Sequence, residues 1–229
     1  MDTGRIKVNV VIVANLGGWG NVALEKSDDI LPTIQAVQAY FETCGLSSKV
    51  VIYRRAPAKP PATTPKSDVE WRILTEMFGF HHTGSRQFAK KMESLATNNP
   101  EVQFILIGIS NGATFIDQTM QFISPAIANQ VIAIEVGVPF WRGIYNSENI
   151  LRFDNEGADP LTRGEMDILV ATLVKGAFNL FRKFLAGRSA RWNQVWQIPE
   201  HGYSLERIGP TVRAFLNRHL IQQNQSGNY

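Results

Sequence analysis

The sequence predicts one doubly wound α/β domain, with a mostly parallel sheet of about six strands and helices on both faces of the sheet. Three observations predict it. Short apolar runs alternate with helix-like segments along the chain. Several of these runs are apolar at nearly every position, which is typical of strands that are buried on both faces. The chain of 229 residues is also long enough to build one sizeable core.

The predicted strands are apolar runs bounded by turn signals. The first ends in Leu-Gly-Gly-Trp-Gly-Asn, where the glycines indicate a sharp turn. The runs cover residues 8–16, 49–55, 102–110, 131–139, 149–155 and 193–199.

Helices are predicted between the strands. The first extends from a cap at Ser27 to about Cys44, with two aspartates in its first turn and Gly45 just beyond its end. The others are predicted at 68–78, 84–97, 112–123, 162–186 and 205–221.

The 162–186 helix has an apolar stripe at core-facing spacing, which favours packing against the sheet. Ile168 and Phe178 lie off this stripe, so a role as a lid or a dimer contact stays open. The stripe consists of Met166, Leu169, Val170, Leu173, Ala177, Leu180, Phe181 and Phe184.

A stretch rich in proline and threonine begins at residue 56 and is the clearest break in the chain. We expect residues 56–82 to form a loop or a small cap. The part before it has only two predicted strands and cannot cover both faces of a sheet alone. Residues 1–229 are therefore predicted to form a single domain, with 222–229 as a flexible tail.

Charge and cysteine content exclude several classes of function. The 23 basic and 20 acidic residues give a net charge of +3, which does not indicate nucleic-acid binding. Arg54, Arg55, Lys59 and Lys66 have no aromatic residues among them, so we expect a solvated loop. Cys44 is the only cysteine, which rules out an intrachain disulfide and a Cys-x-x-Cys metal or redox motif.

Hydropathy predicts neither a signal peptide nor a membrane span. The short N-terminal apolar run leads straight into a turn, and the most apolar later segment carries Lys175 at its centre. We expect a soluble cytoplasmic protein. The histidines are too scattered to predict a metal site, and His219 is expected to be solvated or to compensate the helix dipole near the end of the last helix.

The stretch Phe-Ile-Leu-Ile-Gly-Ile-Ser-Asn-Gly begins as a buried strand and ends with two glycines around Ser110. A sharp strand-to-helix turn would push the Ser110 hydroxyl outward. The neighbouring strand and helix would then crowd the flanking positions, where only Gly108 and Gly112 fit. The turn would also place the Asn111 amide at a helix start, where it can stabilise a developing oxyanion.

These residues resemble the nucleophile elbow of the α/β-hydrolase superfamily, in a compact, esterase- or lipase-like version. The resemblance implies a Ser110 nucleophile, followed along the chain by an acid and a histidine. Asp159, in Glu-Gly-Ala-Asp-Pro, matches the acid loop, with Asp154 and Glu156 as weaker candidates. His201 matches the histidine loop before the last helix.

The same resemblance implies an oxyanion hole built from two backbone amides. One belongs to Asn111, and the other comes from the loop after the first strand, where Leu16 is favoured and Gly17 is the alternative. The implied reaction is hydrolysis of a small-molecule carboxylic ester or thioester through an acyl-enzyme, without a cofactor.

Other functions stay open at this point. The same residues would support acyl transfer, and the same fold can serve as a non-catalytic binding module. A pattern from Gly18 to Ala23 also fits a dinucleotide-binding turn, with Arg54 and Arg55 near a 2′-phosphate, although the spacing to the second strand is too long. Aromatic residues in the connections could line an acyl pocket, although packing is their more frequent role: Trp71, Phe78, Phe80, Phe140, Trp141 and Tyr145.

Overall fold

The computed structural model describes residues 9–17, 30–55, 81–140, 145–165 and 203–226, together with separate helical positions between 167 and 182. Five strands form one parallel sheet in the order β2-β1-β3-β4-β5. The strands are β1 Val10–Asn15, β2 Ser48–Ile52, β3 Gln103–Ile109, β4 Val131–Val136 and β5 Ile150–Phe153.

The helices are α1 Leu31–Thr43, α2 His82–Asn98, α3 Asn111–Met120, α4 Pro160–Arg163 and α5 Leu205–Ser226. A short 3₁₀ turn, Ala128–Gln130, precedes β4. The predicted parallel α/β architecture is confirmed. The predicted sixth strand at 193–199 and the predicted helix at 68–78 lie outside the described residues.

The sheet is covered on both faces, and successive side chains of each strand point to opposite faces. On one face, Ile12 and Ile107 pack with residues of α1 and α5. On the other, Val13 and Leu106 pack with residues of α2 and α3. All seven residues of β3 are buried, as expected for the central strand of such a sheet.

The strand order creates a crevice at one end of the sheet. β1 lies between β2 and β3, so the chain turns to one side after β1 and crosses to the other side before β3. Ligands of open α/β sheets bind at such a switch point, beyond the carboxyl ends of the strands. The segments that follow β1 and β3 therefore flank the expected site.

Helix α1 begins later than predicted. Its first residue is Leu31, and Ile30 occupies the cap position without a side-chain hydrogen bond. Pro32 lies in the first turn, where its missing N–H costs no helical hydrogen bond. Ser27, the predicted cap, lies outside the described residues. Gly45 follows the helix with φ of 70°, as a helix-ending glycine does.

The predicted 162–186 helix is wrong at its start. Gly164, with φ of 73°, ends the short helix α4, and helical residues resume at 167. Val170 was predicted to lie on the core-facing stripe, yet it is 50% exposed. Phe178, which was predicted to lie off the stripe, is 60% exposed. The remaining stripe residues lie outside the described side chains. Helix α5 continues past its predicted end at 221 to Ser226, and the single-domain organisation stays a prediction.

An ion cluster of two buried carboxylates and a partly exposed arginine joins α3 to the β4–β5 edge of the sheet. Arg152 on β5 donates from Nε to the Glu135 carboxylate at 2.7 Å and from Nη2 to Asp117 Oδ1 at 2.6 Å. Burial raises the pKa of Glu135 to about 8, although Arg152 opposes the shift. One guanidinium thus faces two buried carboxylates, which leaves excess negative charge when both are ionised.

Glu135→Gln should stabilise the protein relative to wild type increasingly as the pH rises. The pKa of Glu135 is higher in the folded protein than its ordinary 4.5, so wild type loses stability between pH 4.5 and about 8. The loss is at most about 1.4 kcal/mol per pH unit. Glutamine keeps an oxygen acceptor for Arg152 and has no charge to bury. Urea unfolding of both proteins at several pH values across this window measures their difference in unfolding free energy. A difference that does not change with pH would contradict the prediction.

Candidate active site

Ser110 lies at the junction of β3 and α3 in a backbone conformation that is uncommon for a residue with a side chain. Its φ is 52° and its ψ is −121°. Its N–H donates to the Val136 carbonyl at the end of β4 (2.8 Å), and its carbonyl accepts from the Thr114 N–H (3.0 Å). The neighbouring strand and the first turn of α3 therefore hold the strained serine in place.

The glycines on either side of Ser110 have no room for a side chain. A Cβ on Gly108 would lie 2.6 Å from carbonyl atoms of Gly112. A Cβ on Gly112 would overlap the Asn15 carbonyl oxygen and lie 2.9 Å from that of Leu16. The sharp turn thus requires glycine at both positions, and it brings the end of β1 against the start of α3.

The segment after β1 lies beside the serine. A Cβ on Gly17 would be 3.6 Å from Ser110 Cβ and 3.3 Å from the Ile109 carbonyl oxygen. Ser110, the Asn111 amide at the start of α3, and the Leu16–Gly17 segment therefore meet at the carboxyl ends of β1 and β3. The start of α3 and the segment after β1 thus both lie near the Ser110 side chain.

Arg55 holds the end of β1. Its Nη1 donates to Asn15 Oδ1 at 3.0 Å and to the Leu16 carbonyl at 2.8 Å. Its guanidinium also lies over the Phe115 ring, 5.9 Å from the centroid. The expectation of a solvated loop is therefore wrong for Arg55, although the adjacent Arg54 is exposed. No local pattern indicated a partner 40 residues away.

The loop after β5 presents a buried carboxylate. Asp159 is fully buried and caps α4: its Oδ1 accepts from the Leu161 N–H at 2.9 Å. Its Oδ2 accepts from the Tyr203 hydroxyl at 2.7 Å. By contrast, the Asp154 side chain is exposed, and the backbone carbonyl of Asp154 accepts from the N–H of Asp159. A carboxylate with two such donors is fixed in orientation.

The turn between these two aspartates is left-handed. Asn155, Glu156 and Gly157 have φ of 57°, 59° and 76°. Exposed Glu156 pairs with Arg207 on α5 at 3.3 Å. This turn reverses the chain after β5 and carries Asp159 into the interior.

Tyr203 was not singled out in the sequence. It is buried, and burial, followed by its hydrogen bond to Asp159, raises the pKa of its hydroxyl well above the ordinary value. Tyr203 therefore stays protonated and donates to Asp159. Its position in the loop that leads into the last helix, two residues after His201, was the signal that could have found it. His201 itself lies outside the described residues.

Comparison with solved structures finds a similar chain arrangement in Trichoderma reesei cutinase, solved in complex with a phosphonate inhibitor. The TM-score is 0.54, and the similarity covers 92% of this chain and 76% of that chain. The fold is that of an α/β-hydrolase. Identical residues make up 13%, so the similarity concerns the fold. No family model and no curated protein matches the sequence.

The glycine pattern from Gly18 to Ala23, on which the dinucleotide-binding alternative rests, lies outside the described residues. The described strand order, with β1 between β2 and β3, is also used by doubly wound nucleotide-binding folds.

Within the described part of this α/β-hydrolase fold, no group of three or more His, Cys, Asp or Glu residues could hold a metal ion. His219 was expected to be solvated or to compensate the helix dipole, and the first of these expectations is wrong. It is buried on Phe215, and its Nε2 lies 3.0 Å from the Glu148 carbonyl oxygen. Among the helices that the structure describes, none has the length and hydropathy needed to cross a membrane.

Proposed function

We propose that the protein is a serine hydrolase that cleaves a carboxylic ester or thioester through an acyl-enzyme. The observation that carries this proposal is the strained Ser110, held at the carboxyl end of the central strand with φ of 52°. Strain of this kind persists only where the surroundings impose it, and it concentrates at functional sites. Here it orients a hydroxyl beside the helix start that Asn111 begins.

In the proposed mechanism, His201 removes the proton from Ser110 as the hydroxyl oxygen attacks the acyl carbonyl. The N–H of Asn111 and a second amide, from Leu16 or Gly17, stabilise the oxyanion of the tetrahedral intermediate. His201 then gives the proton to the leaving alkoxide or thiolate. Water, activated by the same histidine, attacks the acyl-enzyme and releases the acid, which restores Ser110.

Asp159 is proposed to orient His201 and to stabilise its imidazolium form. Two observations support this role. The carboxylate is buried and already fixed by the donors from Leu161 and Tyr203. Tyr203 follows His201 by two residues, a length of chain that spans at most about 7 Å. The short separation along the sequence therefore supports Asp159 as the proposed partner of His201.

The substrate is proposed to be a small-molecule acyl ester. The fold similarity to a cutinase favours an ester as the target. Half-exposed aromatic side chains at Phe140 and Tyr145 follow β4, and the Phe140 N–H donates to the Leu161 carbonyl beside Asp159. An apolar acyl chain could contact Phe140 next to the acid loop.

A series of p-nitrophenyl esters of increasing acyl length, with thioesters beside it, tests this proposal. We expect hydrolysis of at least part of the series and a burst of p-nitrophenol when acylation is faster than deacylation. A folded protein that hydrolyses none of them and forms no covalent adduct with a fluorophosphonate would contradict the proposed function.

A further inference from the structure

We infer that Arg55 is a positioning residue for the oxyanion hole, and that it makes the Gly17 N–H, rather than that of Leu16, the second donor. This inference rests on the proposed hydrolase function. It concerns a residue that follows β2 and acts through the peptide group between Leu16 and Gly17.

Two hydrogen bonds of Arg55 fix the end of β1. Their acceptors, Asn15 Oδ1 and the Leu16 carbonyl oxygen, belong to consecutive residues. Asn15 is fully buried, and its backbone pairs with Gly108 in the sheet. The Tyr53 N–H also donates to the Ala14 carbonyl at 2.9 Å, so the chain that carries Arg55 is tied to β1 as well. The segment before Gly17 is therefore held on two sides.

The geometry of the peptide group carries this constraint to Gly17. A peptide is planar and trans, so its carbonyl oxygen and the following N–H point in opposite directions. The Leu16 carbonyl points towards the Arg55 guanidinium and the first turn of α3, where a Cβ on Gly112 would lie 2.9 Å from it. The Gly17 N–H must therefore point away from the Arg55 guanidinium and from Gly112, and Gly17 itself lies beside Ser110.

The positive charge of Arg55 also affects the peptide group between Leu16 and Gly17. The guanidinium is always protonated, and a hydrogen bond from a cation to a carbonyl polarises the whole peptide group. The N–H of that peptide becomes a stronger donor to a developing oxyanion. The N–H of Leu16 belongs to the preceding peptide, and the bond from Arg55 to Asn15 ends on the side-chain oxygen Oδ1 rather than on the carbonyl of that peptide. The hydrogen bond from Arg55 to the Leu16 carbonyl therefore favours the Gly17 N–H as the second oxyanion donor.

The test compares Arg55→Ala with Arg54→Ala, a matched change at the exposed neighbour. We expect Arg55→Ala to lower kcat for a p-nitrophenyl ester by about 10- to 100-fold, with KM changed by less than about threefold. This is somewhat less than the 10²- to 10³-fold loss typical when an oxyanion donor is removed outright. Low concentrations of guanidinium should restore part of the lost kcat in Arg55→Ala and leave Arg54→Ala unaffected.

Arg55→Gln is the second variant in case Arg55→Ala does not fold. Glutamine offers an uncharged N–H donor, so we expect a thermal midpoint near wild type and a kcat lowered by about 3- to 10-fold. A folded Arg55 variant with wild-type kcat, alongside an active wild type, would overturn this inference alone. A wild type that neither hydrolyses esters nor labels with a fluorophosphonate would overturn the proposed function together with it.

Discussion

Replacing Ser110 with alanine is expected to abolish ester hydrolysis while the protein stays folded. The proposed mechanism forms its covalent bond through the Ser110 oxygen, and no other described hydroxyl occupies the strained turn between β3 and α3. In subtilisin, which serves as a comparison, removal of the nucleophilic serine lowers kcat by about 2 × 10⁶. We expect the hydrolysis rate of Ser110→Ala to fall to the background rate of the assay. The measurement is the steady-state rate with a p-nitrophenyl ester.

Ser110→Gly provides the matched control for the fold. Glycine adopts a φ of 52° without the cost that a side chain carries, so this variant should be as inactive as Ser110→Ala and more stable. The expected gain in unfolding free energy over Ser110→Ala is on the order of 1 kcal/mol. Activity that persists in both variants would remove Ser110 from the mechanism.

Asp159→Asn is expected to lower turnover by at least two orders of magnitude. The Asp159 carboxylate accepts from both Leu161 and Tyr203, and an amide offers only one oxygen to such donors. The neutral amide also cannot stabilise an imidazolium at position 201. For the serine-protease triad, which is the reference case, asparagine at the acid lowers kcat by about 10⁴.

Asp154→Asn is the control for that change. The Asp154 side chain is exposed, and its backbone carbonyl makes the turn contacts, which asparagine keeps. We expect a loss of less than about tenfold. Rates and thermal midpoints of both variants are measured together. A larger loss in a folded Asp154→Asn than in Asp159→Asn would move the acid to Asp154.

Features that depend on local chain constraints were predictable from the sequence. A strand such as β3, buried on both faces, must be apolar at nearly every position, and that run is visible directly. The requirement for glycine at 108 and 112 is also local, because the crowding arises from one sharp turn. The alternation of such segments indicated the parallel sheet before any contact was known.

The individual contacts between distant residues could not be predicted from the sequence. Arg55 and Asn15 are 40 residues apart, and Tyr203 and Asp159 are 44 apart. Their hydrogen bonds exist because the fold brings loops together, so Arg55 looked like part of a solvated basic loop. The break at Gly164 was a missed local signal, since a glycine in the left-handed conformation commonly ends a helix.

Reaction with a fluorophosphonate, followed by proteolysis and mass spectrometry of the peptides, tests the central claim most directly. We predict one adduct per chain, located on Ser110, in wild-type protein that hydrolyses esters. The Ser110→Ala variant should carry no adduct. An adduct on another residue, or continued labelling of folded Ser110→Ala, would contradict the assignment of Ser110 as the nucleophile.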